Sequence, residues 1–178
     1  MLRVILSGGP GVGKTTLLNE LAARGYTVVE ESAREFIRER RASGQAPRPE
    51  PAEFALELLR RDRAKYEQSC SGARFVFFDR CLVESIAMAQ EAHAITPTES
   101  SALLRSLKFH SRVFILPPWE QIYTLDAERD QDFDHCRRVH EALTLWYLAC
   151  GYQVHEVLRA PVRTRADQVL QVLAADGV

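Results

Sequence analysis

The stretch Gly8-Gly9-Pro10-Gly11-Val12-Gly13-Lys14-Thr15 decides the fold of this chain. It fits the pattern G-x-x-x-x-G-K-[ST], the phosphate loop or Walker A motif, whose glycines let successive backbone N–H groups turn toward one anion. We predict that this loop binds the phosphates of a nucleotide, that the lysine contacts the β- and γ-phosphates and that the threonine hydroxyl ligates Mg²⁺. The predicted phosphate-binding residues are Gly9, Pro10, Gly11, Val12, Gly13, Lys14, Thr15 and Thr16.

The segments on either side of the loop have the patterns that the motif requires. Residues 2–7 are apolar and β-branched, as in a buried strand, and residues 15–24 carry leucines at helical spacing before Gly25. The order is therefore strand, glycine-rich loop and helix. The positive end of that helix adds to the attraction for an anion.

Composition limits the class of protein. The chain has 178 residues, of which 46% are hydrophobic and 26% charged, so we predict one domain over residues 1–178. Its formal net charge of -1 argues against a nucleic-acid binder. It has no apolar run of membrane-spanning length and no signal-peptide pattern before the first strand, so we expect a cytoplasmic location. The four cysteines lack C-x-x-C spacing and are expected to be reduced, and a homodimer is left open.

Alternating strand and helix patterns follow along the chain. This alternation, with right-handed crossovers, predicts an α/β fold of the P-loop NTPase type: a parallel five-stranded sheet of order 2-3-1-4-5 with helices on both faces. The later strands are predicted at residues 26–29, 74–80, 112–116 and 152–158, and the later helices at residues 33–41, 52–69, 82–93, 99–107, 133–149 and 164–175.

Charged residues near the end of the second strand are candidates for an acceptor site, because ligands of open α/β sheets bind beyond the carboxyl ends of the strands. Glu30 and Glu31 are adjacent, so at most one of them is expected to face the site. Arg34 lies in the first turn of the next helix, near the mouth of the site. The other arginines of that helix, Arg38, Arg40 and Arg41, are expected to be solvated.

Asp79 ends an apolar strand, as the acid of a Walker B element does, and we predict that it holds the metal. The alternative is an aspartate that caps the following helix. Arg80 either contacts phosphate or substrate or pairs with Glu31 or Glu84.

Two later segments are candidates for nucleotide contacts. The charged stretch that begins at Asp126 suggests a lid over residues about 126–140, in which Arg129 neutralises charge on the transferring group, with Arg137 and Arg138 as weaker candidates. The loop after the fifth strand is expected to frame the adenine through Ala160, Pro161 and Val162. Trp119 and Tyr123 are expected to be packing residues, although a base could rest on either.

Four of these segments together resemble the ribosylnicotinamide-kinase domain of the bacterial NAD regulators and its wider AAA-type relatives, over nearly the full chain. They are Glu31-Ser32-Ala33-Arg34-Glu35-Phe36, the strand end Phe77-Phe78-Asp79, the run Ile115-Leu116-Pro117-Pro118-Trp119, and Asp126-x-x-Arg129. The resemblance implies that Lys14 and Thr15 hold phosphate and magnesium, that Glu31 faces the acceptor, that Asp79 serves the metal and that Arg129 belongs to the lid. The pair Asp79-Arg80 is closer to thymidylate-type kinases, so the acceptor stays open.

We therefore expect a Mg²⁺-dependent kinase that moves the γ-phosphoryl group of ATP to a hydroxyl or phosphate of a small, nucleoside-like acceptor. The expected catalytic residues are Lys14, Glu31, Asp79 and Arg129, and the expected substrate contacts are Glu31, Arg34 and Arg80. Which of Glu31 and Asp79 is the base stays open. The alternative is a regulatory ATPase or GTPase switch that binds a protein or lipid partner. A second pocket lined by Glu31, Arg34 and Asp79 would favour the kinase over the switch. ATP is favoured over GTP because no N-K-x-D element is found.

Overall fold

The computed structural model describes residues 1–69, 74–123 and 132–177. Within them, all strands pair in parallel in one sheet, whose order is β2-β3-β1-β4-β5. The predicted sheet is thus confirmed. The strands are β1 (Leu2–Gly8), β2 (Thr27–Val29), β3 (Phe75–Asp79), β4 (Arg112–Leu116) and β5 (Gln153–Glu156).

Helices cover both faces of the sheet and complete three layers. Side chains of β1 alternate between the faces: Val4 and Leu6 pack in a core cluster with α1 and α7, whereas Ile5 packs in a second cluster with α4 and α6. The helices are α1 (Lys14–Ala23), α2 (Ser32–Ala42), α3 (Pro51–Gln68), α4 (Leu82–Glu91), α5 (Pro97–Ser106), α6 (Phe133–Ala149) and α7 (Val162–Ala175).

Two helices begin two residues earlier than the sequence predicted. Helix α5 begins at Pro97 because Thr96 forms a capping box with Glu99, in which the side chain of each residue bonds the backbone N–H of the other. Helix α7 begins at Val162, so the predicted start at residue 164 was wrong. The backbone N–H of Arg165 already bonds the carbonyl of Pro161, 3.1 Å away, which closes the first turn before Thr164 can cap it.

Helices α2 and α3 form a hairpin beside the carboxyl ends of the strands. A small cluster of Phe36, Phe54 and Leu58 holds the two helices together, and α3 also packs along α4. This hairpin builds a wall next to the glycine-rich loop, and the candidate site described below lies against it.

None of the helices in the described ranges combines the length and the apolar character that a bilayer crossing requires.

We expect Phe77→Ala to lower the free energy of unfolding by about 3–5 kcal/mol, because truncation of a buried aromatic leaves a cavity. Phe77 is 0% exposed in the central region of the sheet and packs edge-on against Tyr26, with ring centroids 5.5 Å apart. Urea denaturation measures the loss. Leu145→Ala is the control: this residue of α6 is 68% exposed, so its truncation should change the free energy by less than about 0.5 kcal/mol. Equal effects of the two changes would contradict the packing described here.

Candidate active site at the carboxyl ends of the strands

The glycine-rich loop adopts a backbone shape that favours glycine, as two of its positions show most clearly. Gly11 and Gly13 have φ angles of +77° and +84°, in the left-handed region that L side chains rarely adopt. A Cβ on Gly11 would lie 2.6 Å from a ring carbon of Tyr123, and one on Gly13 would lie 2.8 Å from an arginine nitrogen of α7. The backbone conformation therefore favours glycine at both positions, and the ring of Tyr123 adds a steric reason at Gly11, whereas the guanidinium near Gly13 could move aside. Glycine also adds no side chain that would cover the loop N–H groups.

Lys14 is folded back onto this loop. It begins α1 and is 5% exposed, and its Nζ donates to the carbonyls of Gly8 and Gly9, each 2.8 Å away. Burial, assisted by the positive charge of Arg80, lowers the pKa of Lys14 to about 8. Among the described residues no carboxylate forms an ion pair with this ammonium group, although the charges of Asp79, Glu31 and Glu84 partly offset the lowering. Thr15 and Thr16 follow on the first turn of α1 and are exposed.

Arg80 connects three parts of the site. Its Nε lies 3.1 Å from Glu31 Oε1, one terminal nitrogen lies 2.6 Å from Glu84 Oε2, and the other donates to the carbonyl of Gly8 at 3.0 Å. Of the alternatives that the sequence left open, the structure therefore shows pairing with both glutamates. Arg80 itself has a φ of 60°, a left-handed conformation that costs free energy in a residue other than glycine and that is typical of functional sites.

Glu31, and not Glu30, faces the site. Glu30 is exposed, whereas Glu31 is half-buried and its second oxygen lies 3.0 Å from Arg34 Nε. Burial opposes its ionisation, but the charges of Arg80, Lys14 and Arg34 outweigh burial and hold the pKa of Glu31 below its usual value. The carboxylate is therefore ionised at neutral pH and can accept a hydrogen bond from a hydroxyl group.

Asp79 is buried at the end of β3, opposite Leu6 of β1, and is 7% exposed. Burial, with repulsion from Glu31, raises the pKa of Asp79 to about 6 although Lys14 attracts its negative charge. Its Oδ1 has no hydrogen-bond partner among the described residues. An orphaned carboxylate oxygen fits a divalent cation as ligand.

No group of three potential ligands for a metal is found among the described residues. Mg²⁺ nevertheless fits, because it commonly takes one or two protein oxygens and completes its shell with phosphate oxygens and water. Asp79 and the exposed Thr15 are the residues that could supply those protein oxygens.

A cavity of about 830 Å³ opens beside the loop. Its wall includes Glu31 and Arg34, as expected for a second pocket, and also Lys14. Asp79, which was also expected there, is not part of the wall because its side chain stays buried at the end of β3. Helices α2, α3 and α4, the α2–α3 connection and the start of α6 enclose the cavity.

Two acids of this site, the buried Glu84 and the half-buried Asp62, had no role in the sequence analysis beyond Glu84 as a partner for Arg80. Glu84 accepts hydrogen bonds from the hydroxyls of Ser7 and Tyr147, at 2.6 and 2.7 Å. Asp62 of α3 accepts from the hydroxyls of Ser32 and Ser85, and burial raises its pKa. The spacing of Asp62 from Phe54 and Leu58 places it on the apolar stripe of α3, and this signal could have revealed it.

The candidates for adenine contact precede or begin a helix whose first turn contacts the phosphate loop. Ala160, Pro161 and Val162 join β5 to α7, and Arg165 of the first turn of α7 reaches back to the Gly13 carbonyl at 3.5 Å. The guanidinium of Arg165 also lies 5.8 Å from the ring centroid of Trp119. Sequence analysis did not single out Arg165.

The predicted lid is described only in part. Asp126 and Arg129 lie outside the described residues. Arg137 and Arg138 are exposed on α6, each with a nitrogen 3.9 Å from an aspartate oxygen, as solvated surface charges are.

This fold and glycine-rich loop define a P-loop domain of the type found in small-molecule kinases. A family model described as an AAA domain matches residues 3–165, and the chain belongs to that family. No curated protein matches the sequence.

Three solved structures with the same fold are distant in sequence. Deoxyadenosine kinase from M. mycoides with bound dATP is 13% identical, with a TM-score of 0.65, and the match covers 98% of this chain and 100% of that one. NadR protein in complex with NR is 18% identical, with a TM-score of 0.69 and coverage of 97% and 50%. Shikimate kinase from Acinetobacter baumannii in complex with shikimate is 18% identical, with a TM-score of 0.59 and coverage of 99% and 94%.

We expect Asp79→Asn to stabilise the free protein at pH 8 by about 1–3 kcal/mol and to leave its stability at pH 4 nearly unchanged. The folded pKa of Asp79, about 6, lies above the unfolded value near 3.8, so the protonated form is favoured in the folded state. The stability that this proton contributes is fully present below pH 4 and is lost as the pH rises through 6. An uncharged amide removes that loss.

Urea denaturation without magnesium, at pH 4, 6 and 8, measures the difference. Asp176→Asn is the matched control, because that carboxylate pairs with Arg112 away from the site. A stability gain in Asp79→Asn that is independent of pH would contradict the raised pKa of Asp79 in the folded protein.

Proposed function

We propose that this protein is a Mg²⁺-dependent kinase that transfers the γ-phosphoryl group of ATP to a hydroxyl or phosphate group of a small, nucleoside-sized acceptor. One observation carries the proposal: a single cavity contains both the lysine of the phosphate loop and an ionised, half-buried glutamate. The first is suited to the phosphate donor and the second to the acceptor.

The donor side is built from the loop and from α1. Its uncovered backbone N–H groups and the positive end of α1 would surround the phosphates, and Lys14 would exchange two carbonyl partners for phosphate oxygens. Magnesium would be held by Thr15 and Asp79 and would neutralise charge on the transferring group. Ala160, Pro161 and Val162 remain our candidates for the adenine site, and Arg129 for the lid.

The acceptor side is built from α2 and the end of β3. Glu31 would accept a hydrogen bond from the reacting hydroxyl and orient it, while Arg34 and Arg80 hold the glutamate in place. A carboxylate with a lowered pKa is a weak base. This is sufficient, because phosphoryl transfer depends on positioning and charge neutralisation more than on early proton removal.

The size and lining of the cavity support a small acceptor with an apolar part. Ile37, Phe54 and Leu58 contribute an apolar wall opposite the polar groups around Glu31. A volume of about 830 Å³ accommodates a molecule of nucleoside size. The three structures compared above contain dATP, NR and shikimate, which are also small molecules.

The central experiment is a phosphoryl-transfer screen with labelled ATP against nucleosides, nucleotides, sugars and cofactor precursors, with Lys14→Ala as the blank. We expect transfer of label to at least one compound by the wild type and none by the variant. If no compound accepts label or increases ATP consumption, a nucleotide-dependent switch becomes the better assignment.

We expect Glu31→Gln to lower kcat by about 10²- to 10³-fold and to change the affinity for ATP by less than twofold, because the loss of the charge affects the acceptor hydroxyl rather than the phosphate loop. Steady-state kinetics and calorimetry with Mg-ATP measure the two quantities. Glu30→Gln is the matched control, since that neighbouring side chain is exposed and should change neither. Equal turnover in Glu31→Gln and the wild type would refute the role.

We expect ATP binding to take up a proton above pH 8. The form of Lys14 that binds phosphate is the cation, and its pKa of about 8 in the free protein means that the cation must be regenerated on binding at higher pH. Affinity should be level between pH 7 and pH 8, where Asp79 is ionised, and should fall toward tenfold per pH unit above pH 8. Calorimetry at pH 7 and 9, in two buffers of different ionisation heat, measures this uptake; its absence at pH 9 would contradict the lowered pKa.

A further inference from the structure

We propose that the acceptor carries an anionic group, a phosphate or a carboxylate, and that Arg41 and Arg48 bind this group in the cavity, away from Glu31. The inference rests on the proposed function and specifies its substrate class. Both arginines line the cavity, and both are exposed.

Neither arginine has a carboxylate partner among the described residues, whereas every acid of the cavity wall is already engaged. Glu31 pairs with Arg34 and Arg80, and Glu84 also pairs with Arg80. The third acid, Asp62, accepts hydrogen bonds from two serine hydroxyls. The cavity therefore presents two positive charges that its own acids do not neutralise.

The wall of the cavity carries an excess of positive charge, which also favours an anionic ligand. Its basic side chains are Lys14, Arg34, Arg41, Arg48 and Arg80, against the acidic Glu31, Asp62 and Glu84. A concave surface with an excess of one sign concentrates the opposite charge from solution. An anionic acceptor is thus favoured over a neutral one of the same shape.

The connection between α2 and α3 holds Arg48 in place. Arg48 lies between Pro47 and Pro49, which fix their own φ angles and restrict the residues before them. The connection is also tied to α2, because Arg40 Nε donates to the carbonyl of Ala46 at 2.6 Å. Arg40 Nη1 lies 3.7 Å from Oε1 of Glu53 on α3. Less backbone freedom is therefore lost when Arg48 binds a ligand.

The position of Arg41 sets a length for the acceptor. Arg34, Ile37 and Arg41 line the cavity along one face of α2. Arg41 lies seven residues after Arg34, which is about 10 Å along the helix axis. The reacting hydroxyl near Glu31 and the anionic group are thus at opposite ends of a molecule about as long as a nucleotide. A guanidinium group can bind either phosphate or carboxylate with two parallel hydrogen bonds.

The test compares acceptors in pairs that differ by one anionic group. Ribonucleosides are paired with their 3′-monophosphates, which keep a free 5′-hydroxyl, and hexoses with their uronates, so the two series separate phosphate from carboxylate. In the wild type we expect the anionic member of at least one series to be preferred by tenfold or more in kcat/KM. Arg41→Ala and Arg48→Ala should each reduce that preference by fivefold or more, mainly through KM, and leave the neutral member unchanged.

Two further variants separate recognition from general effects of charge. Arg38→Ala removes an exposed arginine of α2 that does not line the cavity and should alter neither member of a pair. Arg41→Lys keeps the charge but loses the two-pronged geometry and should retain part of the preference. A neutral member used as well as its anionic partner, or an equal loss in Arg38→Ala, would overturn the inference while the kinase function stands.

A binding measurement decides the inference even if no compound is phosphorylated, an outcome that would count against the proposed function alone. With Mg-AMP-PNP on the phosphate loop, inorganic phosphate and acetate are titrated by calorimetry. We expect binding of at least one of the two anions to the wild type and to Arg38→Ala, weakened fivefold or more in Arg41→Ala and Arg48→Ala. Binding of neither anion, or binding that is equal in all four proteins, would refute the arginine site.

Discussion

The guanidinium group of Arg80 is the contact on which the site depends. It spans the gap between the glycine-rich loop, the start of α2 and the buried face of α4, since it bonds the Gly8 carbonyl and both Glu31 and Glu84. Glu84 in turn is fixed by Ser7 of β1 and Tyr147 of α6. One side chain thereby sets the distance between the part of the molecule suited to phosphate and the part suited to an acceptor. Its left-handed backbone is the local cost of that position.

Two ionisable groups near Arg80, Lys14 and Asp79, lie in surroundings that disfavour their charged forms, and a bound ligand of the right charge would stabilise those forms. Lys14 is buried with a lowered pKa, and Asp79 is buried with a raised one, so each is held in surroundings that disfavour its charged form. Glu31 differs because three cations surround it and keep it ionised. The free protein therefore holds a lysine that would gain from an anion and an aspartate that would gain from a cation. A magnesium polyphosphate offers both.

The sequence was sufficient for the fold because strands, helices and glycine-rich loop follow one another in a pattern that few topologies satisfy. It also predicted that Lys14, Glu31 and Arg34 lie close together, because each is at a predictable distance from a strand end or a helix start, and the three residues line one cavity. It could not decide the partners of Arg80, since these depend on where α2 and α4 come together in space.

Arg40 and Arg41 show the same limit. Both were expected to be solvated. Arg40 instead pairs across the hairpin with Glu53, whereas Arg41 is exposed as expected but also lines the cavity. The periodicity of α2 gives the direction of each side chain around its axis. It does not reveal that α3 folds back to form a concave wall, and the concavity alone distinguishes a cavity residue from a surface one.

The resting contacts of Lys14 have a consequence for the energetics of ligand capture. Its ammonium group already donates to the Gly8 and Gly9 carbonyls. A bound anion would therefore replace two hydrogen bonds to carbonyl dipoles with ionic contacts. The enthalpy released on binding is the difference between the new contacts of Lys14 with the ligand and the two hydrogen bonds to carbonyls that it gives up. A polyphosphate that reached this lysine would therefore gain less enthalpy than it would at a lysine without hydrogen-bond partners, because two hydrogen bonds must first be broken.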